Sequence, residues 1–341
     1  MEKVSDFSSL CWVFTLDNLY ETHKRCRRGK QHKREVVDFE IDLNKNLLRL
    51  QKSIFDKSYS VDKYRTFKIY EPKERVIESL SYKDRIVQNC LCNELLKVYF
   101  ERKFIYTNGA CRERKGTDFC RDKLKEYLID YHKRYGVEGY ALKCDIAKYF
   151  ASIDYDILER KMARIFDKDT LWLLRKFIRV GERDKGIPIG NQTSQWFALF
   201  YLNEIDHFIK KTLKIKYYIR YMDDFILIHH DKNHLRYALG EISKKLSSIK
   251  LSFNRKTKIH KLQEGIKFLG FRYRLSHTGK ICISLMHDAK NRIKRNVAKN
   301  KVKKAIHFIT RKEEREYTSN CLKFYNRITE QRFVDRVRLC S

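Results

Sequence analysis

Two adjacent carboxylates, Asp223 and Asp224, interrupt a strand-like run of apolar and aromatic residues between positions 218 and 229. Neighbouring like charges beside a buried hairpin repel each other and resist the loss of water, so a cation between them is a natural partner. A divalent metal ion is one interpretation. A solvated Asp-Asp turn is an equally good one from these two residues alone, because Asp is a common turn residue.

A third carboxylate occurs in a similar setting. Residues 139–154 indicate a short strand that ends at Asp145 and is followed by an amphipathic helix. Open α/β sheets place ligands at the carboxyl ends of strands, although a lone Asp there is more often a cap or turn residue, as we expect for Asp154. If Asp145 and Asp223 end strands of one sheet, three carboxylates could hold two metal ions roughly 3.5–4 Å apart, which suits phosphoryl transfer.

The charge of the chain points to a polyanionic partner. Its 341 residues include 75 Lys and Arg against 43 Asp and Glu, a formal charge of +32 that is spread along the whole length. Such a field favours nucleic acid over a basic surface that serves only solubility or membrane adsorption. No apolar run approaches a bilayer span and the first residues lack a signal-peptide core, so we expect a cytoplasmic protein with no membrane partner.

Two basic segments could contact that partner. Residues 64–77 predict a strand pair bent at Pro72, with Lys73 and Arg75 on one face of a strand, where they suit a triphosphate or form an ordinary surface pair. Residues 108–117 form a glycine-bounded loop that could approach a nucleic-acid backbone. Its cations are Arg112, Arg114 and Lys115.

A third loop, residues 185–195, is rich in turn residues and precedes an apolar helix. Gly190 permits close approach of the backbone to a ligand, and the polar residues after it offer neutral hydrogen-bonding groups. An ordinary helix entry capped by Thr193 or Ser194 is the alternative. The basic, helical segments near both ends of the chain are either solvated faces or further contacts for a polyanion.

The tetrapeptide Tyr221-Met222-Asp223-Asp224 resembles the active-site signature of reverse transcriptases, and the similarity runs from about residue 64 to 284 with the motifs in family order. The resemblance implies an α+β fold of right-hand polymerase architecture, in which the palm is an antiparallel sheet packed on helices. It divides the chain into an N-terminal basic helical extension (1–60), fingers (61–138), a palm (139–284, with a fingers-like helical insertion near 166–186) and a helical thumb (285–341).

The resemblance also assigns the chemistry. Asp145 and Asp223 match the principal ligands of two Mg²⁺ ions, for which Mn²⁺ can substitute, and Asp224 matches the third carboxylate. The backbone carbonyl of Ile146 assists as a metal ligand. Lys256 matches a lysine proposed to protonate the leaving pyrophosphate.

Further matches concern the substrates. Phe150 matches the steric gate that blocks the 2′-OH of a ribonucleotide and so favours DNA synthesis. Other residues that match those around the incoming dNTP are Lys73, Arg75, Ile189 and Gly190. The residues implied in binding the template RNA and the cDNA or primer strand are Arg112, Arg114, Lys115, Gln195, Tyr221, Met222 and, in the primer grip, Phe268, Leu269 and Gly270.

One loop bears on the subgroup. Group II intron and retron enzymes carry Gln-Gly…Ser-Pro where this chain has Ile189-Gly190…Ser194-Gln195, a form that resembles the enzymes of diversity-generating retroelements. The resemblance implies a bacterial or phage enzyme that copies template RNA with errors at adenines, helped by a small basic accessory protein. The family often has Phe-Phe-Pro-Ser-Ile after the first Asp, whereas residues 149–153 read Tyr-Phe-Ala-Ser-Ile. A reverse transcriptase of a phage-defence or retron-like system and a catalytically inactive RNA-binding scaffold are the alternatives.

Overall fold

The computed structural model describes residues 9–70, 74–287, 289–291, 294 and 295. Lys73 and nearly all of the predicted thumb, residues 285–341, lie outside the described residues. The N-terminal segment is helical, as the sequence predicts, and Thr15 starts its second helix by accepting a hydrogen bond from the Asn18 amide at 3.2 Å. Its helices are α1 (Ser9–Val13), α2 (Leu16–Arg27), α3 (Arg34–Ile41) and α4 (Leu43–Phe55).

The predicted strand pair follows. Strands β1 (Arg65–Ile69) and β2 (Arg75–Ser79) are antiparallel, with Phe67 opposite Ile77. Ser81 then caps the next helix by accepting from the Asp84 amide. The helical segments after it are α5 (Tyr82–Cys90), a π-helical stretch (Leu91–Leu96), α6 (Lys97–Glu101) and α7 (Thr117–Tyr135).

The region between residues 140 and 285 alternates strands and helices. Asp154 caps α9 by accepting from the Ile157 amide at 3.0 Å, which confirms its predicted role. The elements up to the second strand hairpin are β3 (Tyr140–Asp145), α8 (Tyr149–Ser152), α9 (Tyr155–Ala163), α10 (Lys168–Ile178), α11 (Gln192–Tyr201), α12 (Asn203–His207), a π-helical stretch (Phe208–Thr212), β4 (Tyr217–Tyr221) and β5 (Asp224–His229). The remaining elements are α13 (Lys232–Ser248), β6 (Lys258–Lys261), a 3₁₀ turn (Leu262–Glu264), β7 (Ile266–Phe268), β8 (Phe271–Leu275) and β9 (Ile281–Leu285).

A four-stranded antiparallel sheet with the order β4-β5-β3-β6 forms the centre of this region. Successive side chains of a strand point to opposite faces. Leu142 and Cys144 of β3 accordingly join the large core cluster that includes α9 to α11 and α13, whereas Ala141 joins a second cluster with α7 and the sheet β7-β8-β9. The α+β class with antiparallel sheets packed on helices is therefore confirmed.

Two elements differ from the simplest expectation. Residues 266–274 are strand-like in sequence, but a turn at Leu269 and Gly270 splits them into β7 and β8. Both turn residues have positive φ angles (46° and 87°), as a two-residue type I′ hairpin turn requires. Helix α7, which falls in the predicted fingers range, packs against β4 and the second face of the central sheet. No described helix is long and apolar enough to cross a membrane.

Candidate active site

The register of the central sheet brings two of the three predicted carboxylates together. Asp145, the last residue of β3, lies directly opposite Asp224, the first residue of β5. Directly opposed side chains in an antiparallel pair have Cβ atoms about 5 Å apart. By the alternation of the strands, both carboxylates point to the face that also carries Ala141 and Ile226, toward α7 and the sheet β7-β8-β9.

The third carboxylate, Asp223, lies in the turn that joins β4 to β5. Tyr221 pairs with Asp224, so Met222 and Asp223 are the two central residues of a tight hairpin. Met222 has φ = +56°, a conformation that the first central position of a type II′ turn requires and that Gly adopts most easily. The strained turn thus places Asp223 next to the Asp145–Asp224 pair.

Burial and mutual repulsion shape the electrostatics of the three carboxylates. The pKa of Asp224 is raised to about 6, mainly by burial and further by Asp145 and Asp223, while the Lys143 ammonium opposes the rise. The pKa of Asp223 is also raised by burial and by Asp145, against the guanidinium charges of Arg220 and Arg75. Carboxylates in this environment gain from an additional cation.

The donor set fits a magnesium ion, which prefers carboxylate and carbonyl oxygens. Oδ2 of Asp224 lies 3.1 Å from the Lys143 ammonium, but its Oδ1 is buried and has no hydrogen-bond partner among the described residues. Such an orphaned oxygen is what a metal ligand looks like before the metal is bound. In the described part of the chain, no group of three or more Asp, Glu, His or Cys side chains is already arranged around a metal position.

The turn over residues 254–257, just before β6, is hydrogen-bonded to the main chain of Asp145. The Asn254 amide donates to the Asp145 carbonyl at 2.7 Å, and Thr257 Oγ1 accepts from the Asp145 amide at 3.2 Å. Lys256 lies between them, exposed, with its amide bonded to Asn254 Oδ1. Ile146 forms an isolated bridge with Phe253. The turn thereby keeps Lys256 within the neighbourhood of the carboxylates.

The residues predicted to surround the incoming nucleotide lie on three segments. Phe150 on α8 is half-buried beside Tyr149, and its carbonyl accepts from the Ile187 amide at 2.9 Å. The Ile189 carbonyl accepts from the Glu78 amide of β2 at 3.2 Å, so the loop that contains Ile189 packs on the strand pair β1–β2. Arg75 is exposed at the start of β2.

Gly190 shows why this loop needs glycine. It is exposed, its φ is +115°, and a Cβ there would lie 3.0 Å from Cγ2 of Ile77. Ile189 beside it is only partly buried, so its alkyl group is available to a bound substrate. The loop offers an apolar group at 189 and bare backbone at 190.

Gln88 of α5 supports this loop and could not be identified from the loop's own sequence. Its Nε2 donates to Thr193 Oγ1 at 2.9 Å and its Oε1 accepts from the Gln192 amide at 3.1 Å. Asn191, at the N-cap of α11, makes no capping hydrogen bond with its own side chain. The sequence signal that could have drawn attention to Gln88 is a polar residue among the apolar positions of α5, beside Ile86 and Val87, because a polar side chain that is buried needs hydrogen-bond partners.

The predicted template contacts in the loop 108–117 divide into two kinds. Arg112 binds Glu101 at 2.6 Å and donates to the carbonyls of Ile105 and Asn108, so this geometry favours a structural role over a contact with phosphate. Arg114 is exposed with φ = +55°, and the half-buried Lys115 lies over the Tyr106 ring at 4.5 Å. Burial lowers the pKa of Lys115 to about 8.

The remaining residues predicted to contact the template or primer lie in β7 and the turn after it, beside the carboxylates, or on α11. Phe268 is buried in the second core cluster, and the carbonyl of Leu269 in the turn after it accepts from Arg121 Nη2 at 2.8 Å. The carboxylates' neighbours Tyr221 and Met222 are partly buried, and Gln195 is exposed on α11. The structure therefore gathers the three acids, Lys143, Tyr221 and Met222 at one end of the central sheet.

An antiparallel sheet with opposed acids at one end, backed by helices, is the arrangement that the sequence predicts for a polymerase palm. Residues 65–273 match the family described as reverse transcriptase (RNA-dependent DNA polymerase), which is more than half of the chain. The chain belongs to the reverse transcriptase family. No curated protein shows significant sequence similarity to it.

A solved structure of a telomerase is similar in fold. The telomerase of Candida albicans, in complex with a TWJ fragment of telomeric RNA, has a TM-score of 0.52 and 14% identity over 86% of this chain and 61% of that one. An apo telomerase from Candida tropicalis, truncated from its C-terminal domain, has a TM-score of 0.49 and 13% identity over 69% and 59% of the two chains. The chain thus spans about three fifths of the length of these telomerases.

Proposed function

We propose that this protein is an RNA-directed DNA polymerase that makes cDNA from a template RNA by two-metal phosphoryl transfer. The observation that carries the proposal is the pairing of Asp145 with Asp224 across the end of the central sheet, with Asp223 in the adjoining turn. A protein that only binds RNA gains nothing from three clustered acids beside a polyanion, because they repel its phosphates. This argues against the inactive scaffold.

The proposed roles follow from position. Asp145, Asp223 and Asp224 would hold two Mg²⁺ ions, with the carbonyl of Ile146 as a further ligand, and Mn²⁺ is an alternative metal. The ions, when bound, stabilise charge on the attacking and leaving oxygens. Lys256, exposed on the turn anchored to Asp145, is the proposed proton donor to pyrophosphate.

The nucleotide is proposed to bind beside the junction of the fingers strand pair and the loop at Gly190. Arg75, with Lys73, supplies positive charge for the triphosphate, and the bare backbone of Gly190 allows the nucleotide to approach. Phe150 is the proposed barrier to a 2′-OH. The hairpin turn at Leu269 and Gly270 is the proposed contact for the primer strand.

For the biological role we favour a diversity-generating retroelement, in which cDNA made with errors at template adenines rewrites a gene. An alkyl group at Ile189, where related enzymes have an amide, removes a hydrogen bond that could orient the substrate. A small basic accessory protein is the proposed partner. A phage-defence or retron-like enzyme would use the same chemistry, so only the error pattern and the partner separate the two.

The test of the activity is primer extension on an RNA template with dNTPs and Mg²⁺. Asp223→Ala should abolish extension, whereas Asp156→Ala, which removes a carboxylate that is 71% exposed on α9, should leave it unchanged. Extension by Asp223→Ala at the rate of the wild type would contradict the metal assignment.

The subgroup is tested by sequencing the cDNA. We expect errors concentrated at template adenines and fewer of them in Ile189→Gln, which restores an amide. Errors spread evenly over the four template bases would count against the diversity-generating role and leave the polymerase activity intact. RNA and small proteins that co-purify with the chain identify the template and the accessory partner.

A further inference from the structure

A fully buried ion pair lies directly beneath the turn that carries Asp223. The side chains of Arg220 on β4 and Asp206 on α12 are 1% and 0% exposed. Arg220 Nε donates to Asp206 Oδ1 at 2.7 Å and Nη2 to Oδ2 at 2.6 Å, and the Tyr218 hydroxyl also donates to Oδ1 at 2.6 Å. Both oxygens of the carboxylate are thereby satisfied, and the guanidinium is held in a bidentate grip.

Such a pair contributes little to stability. Removing two charges from water costs several kcal/mol per ion, and apolar residues of similar volume often stabilise a core equally well. A buried ion pair can instead hold neighbouring groups in a fixed position. In this protein, those groups are the further hydrogen-bond partners of the Arg220 guanidinium.

Arg220 Nη1 donates to the carbonyl of Met222 at 2.8 Å, and Nη2 donates to the carbonyl of Leu199 at 3.2 Å. The Met222 carbonyl belongs to the peptide group that leads into Asp223, so the orientation of this group sets the direction in which the Asp223 carboxylate points. Met222 has φ = +56°, a value that residues with a side chain rarely adopt. A turn of this kind persists only when its surroundings hold it.

The main chain of Arg220 is fixed as well. Its amide donates to the Thr107 carbonyl at 3.1 Å, and its carbonyl accepts from the Gly109 amide at 3.0 Å. The guanidinium is therefore a rigid link between α12 and the turn. Neither Arg220 nor Asp206 reaches the surface at which substrate would bind.

We propose that Arg220 and Asp206 are positioning residues that aim Asp223 at the metal ions by holding the Met222 carbonyl in the strained turn. The inference rests on the proposed two-metal site. It makes the ion pair a determinant of metal affinity and turnover, although neither side chain touches metal or nucleotide.

The experiment compares Arg220→Lys with Tyr218→Phe. Lysine keeps the charge opposite Asp206 but has no second donor arm fixed toward Met222, whereas Tyr218→Phe removes a bond to Asp206 and leaves the turn untouched. Binding of Mn²⁺ to the protein alone is measured by electron paramagnetic resonance, together with thermal unfolding and the kcat and KM for dNTP. We expect Arg220→Lys to bind Mn²⁺ about tenfold more weakly, the effect of one lost hydrogen bond to a charged group, and to lower kcat with little change in KM. Tyr218→Phe should lower the unfolding temperature only.

Rescue by glycine distinguishes positioning from a general structural role. Glycine adopts the positive φ of the turn without strain. Met222→Gly in the Arg220→Lys background should therefore recover part of the lost Mn²⁺ affinity. The proposal would be overturned if Arg220→Lys had the Mn²⁺ affinity and kcat of the wild type, or if Tyr218→Phe lost as much as Arg220→Lys.

A more severe variant, Arg220→Met, leaves the Asp206 carboxylate without its cation. If Arg220→Met does not fold, Arg220→Lys is the variant that tests the proposal. A wild type that binds Mn²⁺ but extends no primer would contradict the proposed function and not this inference.

Discussion

Lys143 and Asp224 form an ion pair inside the candidate active site, with Nζ of Lys143 3.1 Å from Oδ2 of Asp224. Lys143 lies on β3 two residues before Asp145, so its side chain shares a face with both opposed acids. It also donates to the carbonyl of Lys267 in β7. The ammonium therefore neutralises part of the acidic cluster in the absence of metal.

Lys143→Met should strengthen metal binding and weaken the metal-free fold. An ammonium near the metal position repels the ion and competes for Asp224, so its loss should tighten Mn²⁺ binding on the order of fivefold. Without it, the acids repel each other more strongly and the metal-free protein should unfold at a lower temperature. Lys168→Met removes an exposed cation from α10, outside the central sheet, and is the control. Weaker Mn²⁺ binding in Lys143→Met would contradict this account of the pair.

Asp224→Asn should stabilise the metal-free protein at neutral pH. The pKa of Asp224 is raised to about 6, mainly by burial, whereas an unfolded Asp titrates near about 3.9. The folded state therefore binds the proton more tightly, so the wild type gains stability as the pH falls through about 6 toward about 4. At about pH 7.5 in EDTA, we expect Asp224→Asn to be more stable by on the order of 2 kcal/mol.

The pH profile of thermal unfolding checks this sign. The advantage of Asp224→Asn should shrink as the pH is lowered and be nearly gone at about pH 4. Asp156→Asn, at an exposed carboxylate, is the control and should follow the wild type throughout. An Asp224→Asn protein that is less stable than the wild type at neutral pH would show that Asp224 contributes more by its bond to Lys143 than it costs by burial.

Phe150→Ala should admit ribonucleotides. Removal of the ring opens space beside the sugar, and we expect the preference for dNTP over rNTP to fall by roughly 10- to 100-fold in kcat/KM. Tyr149→Phe is the neighbouring control, because it loses a buried hydrogen bond to the Ala198 carbonyl without opening the pocket. Undiminished exclusion of rNTP in Phe150→Ala would remove Phe150 from the gate.

Gln88→Leu should loosen the loop at Ile189 and Gly190. It leaves the Gln192 amide and the Thr193 hydroxyl without their partner, and we expect a loss of stability of about 1–3 kcal/mol. Because the loop is proposed to contact the nucleotide, KM for dNTP should rise and the pattern of copying errors should change. Asn89→Ala, on the same helix but bonded only to the Arg85 carbonyl, should change neither.

Local sequence patterns were sufficient to predict β3, β5 and one helix cap. Short apolar runs beside Asp145 and Asp224 mark the two strands, and an Asp before an apolar helix marks the cap at Asp154. β3 ends at Asp145 and β5 begins at Asp224, so the sequence could indicate that acids meet at this end of the sheet once one sheet was assumed, but not that Asp224 is the direct partner of Asp145. The match of residues 65–273 to the reverse transcriptase family agrees with the order of motifs.

Contacts between distant side chains could not be predicted in this way. Arg220 reads as one more basic residue in a cationic chain, and only the fold shows that it faces Asp206 and the turn at Met222. The same holds for Gln88, which supports a loop some hundred residues away. Arg112 illustrates the converse, because a cation in a glycine-bounded loop suggests a ligand contact, yet its guanidinium is occupied by Glu101 and backbone carbonyls.

The large core cluster includes residues from Leu10 in α1 to Leu251 after α13. It therefore spans the predicted boundary at residue 60 between the N-terminal extension and the fingers. Helix α1 packs on α10 as well as on α4, and the Ser9 amide donates to the Asp167 carboxylate. During synthesis on the ribosome, α1 therefore cannot pack on α10 until about half of the described residues have been synthesised. Until then the part of α1 that packs on α10 stays open, so the packing of this helix is completed only after α10 has been synthesised.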